Sequence, residues 1–446
     1  MYHPDAYDPS RPVRSYWADS AGVPPADDGP LAGDVSADVA IVGAGYTGLW
    51  AARRLAAVHG RSVRVFDAGG AGWGASGRNG GFACLGGTGL DHQTTIARFG
   101  RTEAERLFDM QTESIARVRK LLAPDAAAAG IHGDGEMALA HRPGALRALE
   151  AECRALVDHC RLPARMVDQN ELRAMGLYGP RFHGGLHVPV GFGLHPLKLA
   201  YTLSIAARGA GAQVHGGTPV TGIARDGDAH VLATPGGTCR ARQVIVATNG
   251  YGNDGPTPAM AGRMIPVFSS ILVTRPLTGE ERARQGWTGA MPAYDSRHLL
   301  HYFRLLPDGR FLFGGRGGRD GSAAGEAGVR DWLTRSFRRL FPAWHAVEIT
   351  HFWRGLACLA ADFCLHVGAL DAERTLWFGG GYHGNGVAMS AMVGPLLADL
   401  AAGKADPERD VPAPMRGAPP VFRLPGGRRR WLGAAYLWYR LRDALP

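Results

Sequence analysis

Lysine is nearly missing from this 446-residue chain: Lys120, Lys198 and Lys404 stand alone among 49 basic residues. The net charge of +9 therefore comes from arginines scattered along the sequence, with one cluster, "GRRRW", near the end. Such diffuse basicity argues against a nucleic-acid partner and suits an anionic cofactor or simple solubility. Cysteine is also sparse. Cys84, Cys153, Cys160, Cys239, Cys358 and Cys364 form no C-x-x-C pair and no His/Cys set with zinc spacing. Neither a metal centre nor a disulfide framework is expected, and reduced thiols in the cytoplasm are the default. No apolar run reaches about 18 residues, so no membrane-spanning helix is expected. The polar start, "MYHPDAYDPSRPVRSYW", lacks the apolar core of a secretory signal.

Glycine, by contrast, is abundant, at 64 residues. The stretch "ADVAIVGAGYTGLWAARRL" joins an apolar, β-branched strand to an amphipathic helix through Gly43, Gly45 and Gly48. Those three glycines allow a tight turn, close approach of a pyrophosphate, and close helix–strand packing. A second strand, "SVRVFDA", ends in Asp67, placed to accept hydrogen bonds from a ribose. This is a Rossmann unit, and taken alone it leaves nicotinamide and flavin open.

Further stretches bear on that choice. "GWGASGRNGG" is a glycine loop carrying Ser76, Arg78 and Asn79, "VIVATNGY" is a buried strand ending in a small-residue turn, and "GGGYHGNGVAMSAM" opens a helix at Gly384, Asn385 and Gly386. A helix N-terminus there would stabilise negative charge on a reduced flavin. Between these motifs lie strand-rich segments: "SSILVTRPL", "LLHYFRLLPDGRFLFGG" and "HAVEITHFWRGLACL". The expected fold is α/β: a Rossmann-type dinucleotide-binding domain, which the resemblance below makes an FAD-binding domain, interleaved with an α+β substrate domain on an antiparallel sheet. Residues 1–36 read as an irregular lead-in. The cofactor domain is expected over 37–100, 186–260 and 346–402, the substrate domain over 101–185 and 261–345, and a helical tail over 403–446.

Together, "DVAIVGAGYTGLW", "WGASGRNGG", "HPLKLA", "VIVATNG" and "GYHGNGV" resemble the FAD-dependent D-amino-acid-oxidase-like superfamily, which includes glycine oxidase and monomeric sarcosine oxidase. The similarity is greatest to its gamma-glutamylputrescine oxidase-like branch. It spans residues 36 to about 400, in order. The resemblance implies FAD and oxidation of a C–N bond to an imine that water then hydrolyses. It implies a small-molecule amine as substrate, and oxygen or another electron acceptor. By the same resemblance Gly43, Gly45, Tyr46, Thr47 and Gly48 hold the pyrophosphate, and Asp67 and Ala68 the adenosine. Trp73, Gly74, Ala75, Ser76, Arg78, Asn79, Gly80 and Gly81 line the flavin side. Val220, Thr248, Asn249 and Gly250 sit by the cofactor, and Tyr382, His383, Gly384, Asn385, Gly386 and Val387 by the ring.

Departures from the family pattern sharpen the expectation. The loop position where some relatives attach FAD through histidine is Arg78, whereas Cys358 lies near the site of cysteine attachment in others. Leu312 stands where sarcosine-type oxidases carry lysine, and Ala357 where glycine oxidase carries its carboxylate-binding arginine. An amine is thus favoured over an α-amino acid. Hydride transfer needs a neutral amine and little further acid–base help. His383 and His351 are the candidate catalytic residues, with His298 and His301 also able to tune amine protonation. Tyr302, Trp353 and Cys358 are the candidate substrate contacts, and Tyr294 and Phe303 further aromatic walls. In the tail, Trp431, Leu432, Ala435, Trp438, Tyr439 and either Leu441 or Arg442 fall near one helical face. Packing against the body is the favoured reading, and contact with an anionic membrane the lesser one. Three alternatives remain: an amino-acid or N-methyl-amino-acid oxidase of the glycine/sarcosine type, an NAD-dependent dehydrogenase, and a flavin-binding protein without catalysis.

Overall fold

A computed structural model describes residues 2–252, 255–318 and 320–444. Among these residues the chain forms two eight-stranded sheets and a two-stranded ribbon. The first sheet starts with the strand Val35–Val42, whose last four residues are buried. It pairs in parallel with Val63–Phe66 on one side and Gly237–Val246 on the other. Gln213–His215 and Leu376–Gly380 extend the parallel run, and His366–Ala369 closes one edge antiparallel. The hairpin Gly222–Asp226 and Ala229–Thr234 continues from Gly237–Val246.

Helices cover this sheet. Tyr46–His59 begins at Gly45 and stops at left-handed Gly60, and its Leu49, Ala52 and Leu55 are fully buried, as their spacing requires. The long helix Gly386–Ala401 crosses it closely. A Cβ on Gly394 would lie 2.6 Å from the Thr47 carbonyl oxygen, so only glycine permits that approach. The Thr47 hydroxyl and the Tyr382 phenol meet at 2.6 Å beside the crossing. The crossing packs the two helices together beside the strand ends.

The second sheet runs, edge to edge, Ile349–Ala360, Met264–Thr274, Phe311–Arg316, His301–Leu305, Ala293–Asp295, Glu136–Leu139, Gly185–Val188 and Arg165–Val167. One pair, Ala293–Asp295 with Glu136–Leu139, is parallel, and the others are antiparallel. Its outer face buries an aromatic core of Phe303, Phe311, Phe313, Phe337, Phe341, Trp287 and Trp344 beneath the helix Ala323–Leu340.

Several boundaries differ from the sequence expectation. Ile349–Ala360, expected in the cofactor domain, is an edge strand of the second sheet, and Gly185–Val188 also belongs there. Both are apolar strands, and nothing local in an apolar strand says which sheet it joins. The helix Arg101–Leu122, expected in the substrate domain, buries Leu107, Ile115, Val118 and Leu122 in the core of the first sheet. The lead-in is not irregular throughout. Ser15 caps a short helix, Tyr16–Ser20, and Trp17 is 2 % exposed, with its indole N–H donating to the Asn79 carbonyl. Tyr2 donates from its phenol to the Pro266 carbonyl. The first residues therefore strap both sheets.

The tail forms the helix Arg428–Ala444. Leu432 and Tyr436 pack against Ile265 and Val267 of the second sheet and Leu299 of the loop before His301–Leu305, with Tyr439 beside them. Trp431, Leu437, Trp438 and Leu441 face solvent. The packed stripe is thus narrower than the face expected from sequence, from which Trp431, Trp438 and Leu441 drop out.

Candidate functional site

A cavity of about 630 Å³ lies between the sheets, at the carboxyl ends of the parallel strands. Ligands of open α/β sheets bind in this position. One wall is largely backbone. Gly43, with φ +111, turns the chain after Val42, and a Cβ there would press on the Ala247 carbonyl at 3.0 Å. Gly45 precedes the helix and supplies no capping side chain. The Ser76 hydroxyl accepts the Tyr46 N–H at 2.9 Å, which fastens the "GASG" loop to the helix start. Gly48 sits behind this wall, where a Cβ would meet the Gly43 carbonyl oxygen at 2.0 Å.

The second helix, Gly386–Ala401, likewise starts without a side-chain cap, and Gly384, Asn385, Gly386 and Val387 line the cavity. Two uncapped helix starts therefore border one space, a setting that favours negative charge. Asp67 holds the corner: its carboxylate accepts from the Ala44, Gly69 and Gly70 N–H groups at 2.7, 2.8 and 2.8 Å. Burial raises its pKa, against those three donors.

Most of the residues singled out in sequence meet here. Gly43, Gly45, Tyr46, Thr47, Asp67, Ala68, Trp73, Gly74, Ala75, Ser76, Arg78, Asn79 and Gly80 line the cavity, as do Val220, Thr248, Asn249, Tyr382, Tyr302 and Cys358. Arg78 donates from Nε to the Trp73 carbonyl and lies over the Trp73 ring, 4.5 Å from its centroid. Gly48, Gly81 and Gly250 stand behind the wall as spacers. A Cβ on Gly81 would meet the Leu194 carbonyl oxygen at 2.1 Å, and one on Gly250 the Ala357 carbonyl oxygen at 2.9 Å.

Both candidate catalytic histidines lie elsewhere. His383, with φ +52, turns its imidazole away from the cavity, and its Nε2 lies 3.3 Å from the Cys364 carbonyl oxygen. Burial lowers its pKa to about 4, so the ring is neutral. His351 Nε2 lies 3.1 Å from Asp19 at the rim of the sheet, beside the Tyr16 ring. Trp353 donates its indole N–H to the Arg78 carbonyl and packs on Trp17, outside the cavity lining. Leu312 is fully buried in that same cluster. Phe303 belongs to the outer face, His301 pairs with Asp295, and His298 with Asp443. Ala357 does line the cavity.

The opposite wall brings in residues the sequence did not flag for it: Glu136, Cys84, Ser269 and Arg316, joined by Tyr294 and Tyr302. The Tyr302 and Ser269 hydroxyls lie 2.8 Å apart. Glu136 is 3 % exposed, and burial pushes its carboxyl up to about 8, against help from the Cys84 thiol and the Leu85 N–H. Burial also lowers the Arg316 guanidinium.

The chain belongs to the FAD dependent oxidoreductase family, whose profile matches residues 38–400. Its cofactor is accordingly FAD, and a nicotinamide enzyme is set aside. Among its relatives, the probable oxidoreductase OrdL of Rhizobium meliloti (strain 1021) is 34 % identical over 93 % of this chain and 94 % of its own. Gamma-glutamylputrescine oxidoreductase of Escherichia coli (strain K12) is 32 % identical over 97 % of this chain and 98 % of its own. The crystal structure of glycine oxidase from Geobacillus kaustophilus superposes with a TM-score of 0.69 at 22 % identity, covering 87 % of this chain and 99 % of that one. Among the described residues no helix is long and apolar enough to cross a membrane.

Proposed function

We propose that the cavity holds FAD on its backbone wall and oxidises the C–N bond of an amine on its side-chain wall. The carrying observation is that asymmetry: glycines and uncapped helix starts on one side, aromatic and titratable side chains on the other. The backbone wall fits the cofactor's chemistry. Pyrophosphate needs bare backbone and a helix start, which Gly43, Gly45 and Thr47 supply beside the Ser76-bonded Tyr46 N–H. Asp67 keeps a free lone-pair site for a ribose hydroxyl, since three N–H groups leave one of about four unused. Arg78, Asn79, Gly80 and the Gly384–Val387 stretch then border the ring end. FAD, when bound, supplies the hydride acceptor.

The remaining work falls to the chain. Tyr302 and Tyr294 present flat aromatic walls that exclude water and orient a carbon chain. Burial holds the Glu136 carboxyl at about 8, so it is its ionised form that takes a proton from an entering ammonium. Ala357 in the cavity leaves that strand without a cation for an α-carboxylate, which supports an amine. Oxygen or another acceptor then receives the electrons, and no lysine lines the cavity among the described residues. Six free cysteines suit the reducing cytoplasm.

Anaerobic titration of the yellow protein with a panel of amines tests this reading: bleaching of the flavin absorbance is expected. A yellow protein that no amine bleaches would overturn it. Acid precipitation should release the colour into the supernatant. Colour retained in the pellet, and lost from it in Cys358→Ser, would instead mark a covalent bond at Cys358.

A further inference from the structure

Two ionisable groups on the substrate wall have no counter-charge among the described residues. Arg316 ends the strand Phe311–Arg316 and lies opposite Ser269 in register. Its Nη2 donates to the His383 carbonyl at 2.9 Å, and among the described residues no carboxylate pairs with it. The groups acting on its charge are the phenols of Tyr302, Tyr436 and Tyr439. A guanidinium half-buried without an anion is costly unless a ligand supplies one. Glu136 is its counterpart. Its Oε2 is buried and makes no hydrogen bond, although the carboxyl lines the cavity.

The sheet register fixes their relation. Gly314, Tyr302, Tyr294 and Ala138 form one row across four neighbouring strands. The strands carrying Arg316 and Glu136 run in the same direction, Arg316 two residues beyond that row and Glu136 two residues short of it. Two-residue alternation puts both on the row's face, at opposite corners and roughly 20 Å apart between Cα atoms. Tyr294 and Tyr302 occupy the diagonal between them.

We infer that Arg316 and Glu136 are the two poles of the substrate site, Arg316 binding a carboxylate and Glu136 an ammonium. The substrate is then an extended amine whose carboxylate is separated from a nitrogen by a chain of several bonds. This rests on the reading of the cavity as an amine site. An α-amino acid, with its charges on adjacent atoms, reaches one pole only. The planar fork of Arg316 suits bidentate carboxylate binding, and an ammonium relieves the desolvation that keeps Glu136 protonated.

The first test needs no turnover. Glutarate, which has no nitrogen to oxidise, is titrated into the FAD-loaded protein and followed by perturbation of the flavin spectrum. Arg316→Gln should weaken its binding roughly 10- to 100-fold, as expected for losing a charge-assisted pair. Arg316→Lys should keep part of the affinity, and Glu136→Gln should not weaken it. The flavin absorbance of each variant reports that the site still assembles.

The second test compares anaerobic flavin reduction by 6-aminohexanoate, hexylamine and glycine. The expected order of kcat/KM is 6-aminohexanoate, then hexylamine, then glycine. Arg316→Gln should erase the first difference through KM, and Glu136→Gln should raise KM for both long amines. Glutarate binding unchanged in Arg316→Gln, or equal reduction by the acid and the plain amine, would overturn the inference. If no amine reduces the flavin while glutarate still requires Arg316, the amine reading fails and the anion pole stands.

Discussion

The two walls of the cavity are made of different material. The wall formed by the first sheet is backbone: turns, glycines and helix starts whose exact side chains matter little. The wall formed by the second sheet is side chain: Tyr294, Tyr302, Ser269, Glu136 and Arg316, delivered by five strands that register alone brings together. A backbone wall recognises a fixed partner and tolerates almost no added atoms. A side-chain wall can be rewritten one residue at a time, which on the proposed reading is where selectivity among substrates resides.

Substitutions should break this contrast in order of size. Gly48→Ala has the largest expected effect, because its Cβ would sit 2.0 Å from a backbone oxygen that cannot swing aside. A loss of about 3 kcal/mol or more is expected, typical of overpacking at a rigid site. Colourless or insoluble protein is the readout, and a yellow Gly48→Ala with an unchanged melting temperature would refute the packing argument.

Glu136→Gln should show an intermediate effect with the opposite sign. The folded state holds this carboxyl near 8 rather than its ordinary 4.5, so the fold binds an extra proton between those values. Wild-type stability therefore falls as pH rises across that window, by up to about 1.4 kcal/mol per pH unit from this group. It levels off above 8. The variant lacks this slope. Its melting temperature should match wild type near pH 4 and exceed it at pH 8.5, with Cys84, Tyr294 and Glu152 as the titratable neighbours. Parallel melting curves at every pH would contradict the assignment.

Tyr302→Phe should do least. It removes one hydroxyl bonded to Ser269 and leaves the ring in place, at a cost of about 1 kcal/mol. Flavin content should stay normal while kcat/KM for the best amine changes. Loss of flavin would mean that the two walls are not separable.

This contrast also explains what could be read from the chain. The backbone wall was legible because each part is contiguous: "GAGYTG", "GWGASGRNGG" and "GYHGNG" carry their geometry in a few adjacent residues. Glu136 and Arg316 carried no such signal. Each is an ordinary charged residue at the end of a strand, and only the register places them on one face. His383 misled for the converse reason. Its neighbours line the cavity, yet its positive φ directs the ring toward Cys364. The strand Ile349–Ala360 was recognised as a strand but given to the wrong sheet, since its partner Met264–Thr274 lies over seventy residues earlier in the chain.

The strap at the start of the chain has a temporal consequence. Tyr7 and Pro9 form part of the cavity wall, while Tyr2 and Trp17 fasten to Pro266 and Asn79. During synthesis the strap leaves the ribosome 264 residues ahead of the Pro266 carbonyl that anchors it. Tyr2 therefore cannot be fastened until the strand Met264–Thr274 has emerged. Tyr2→Ala together with Trp17→Ala would loosen that strap beside the cavity wall, so slow or incomplete flavin loading is the defect such a variant should produce.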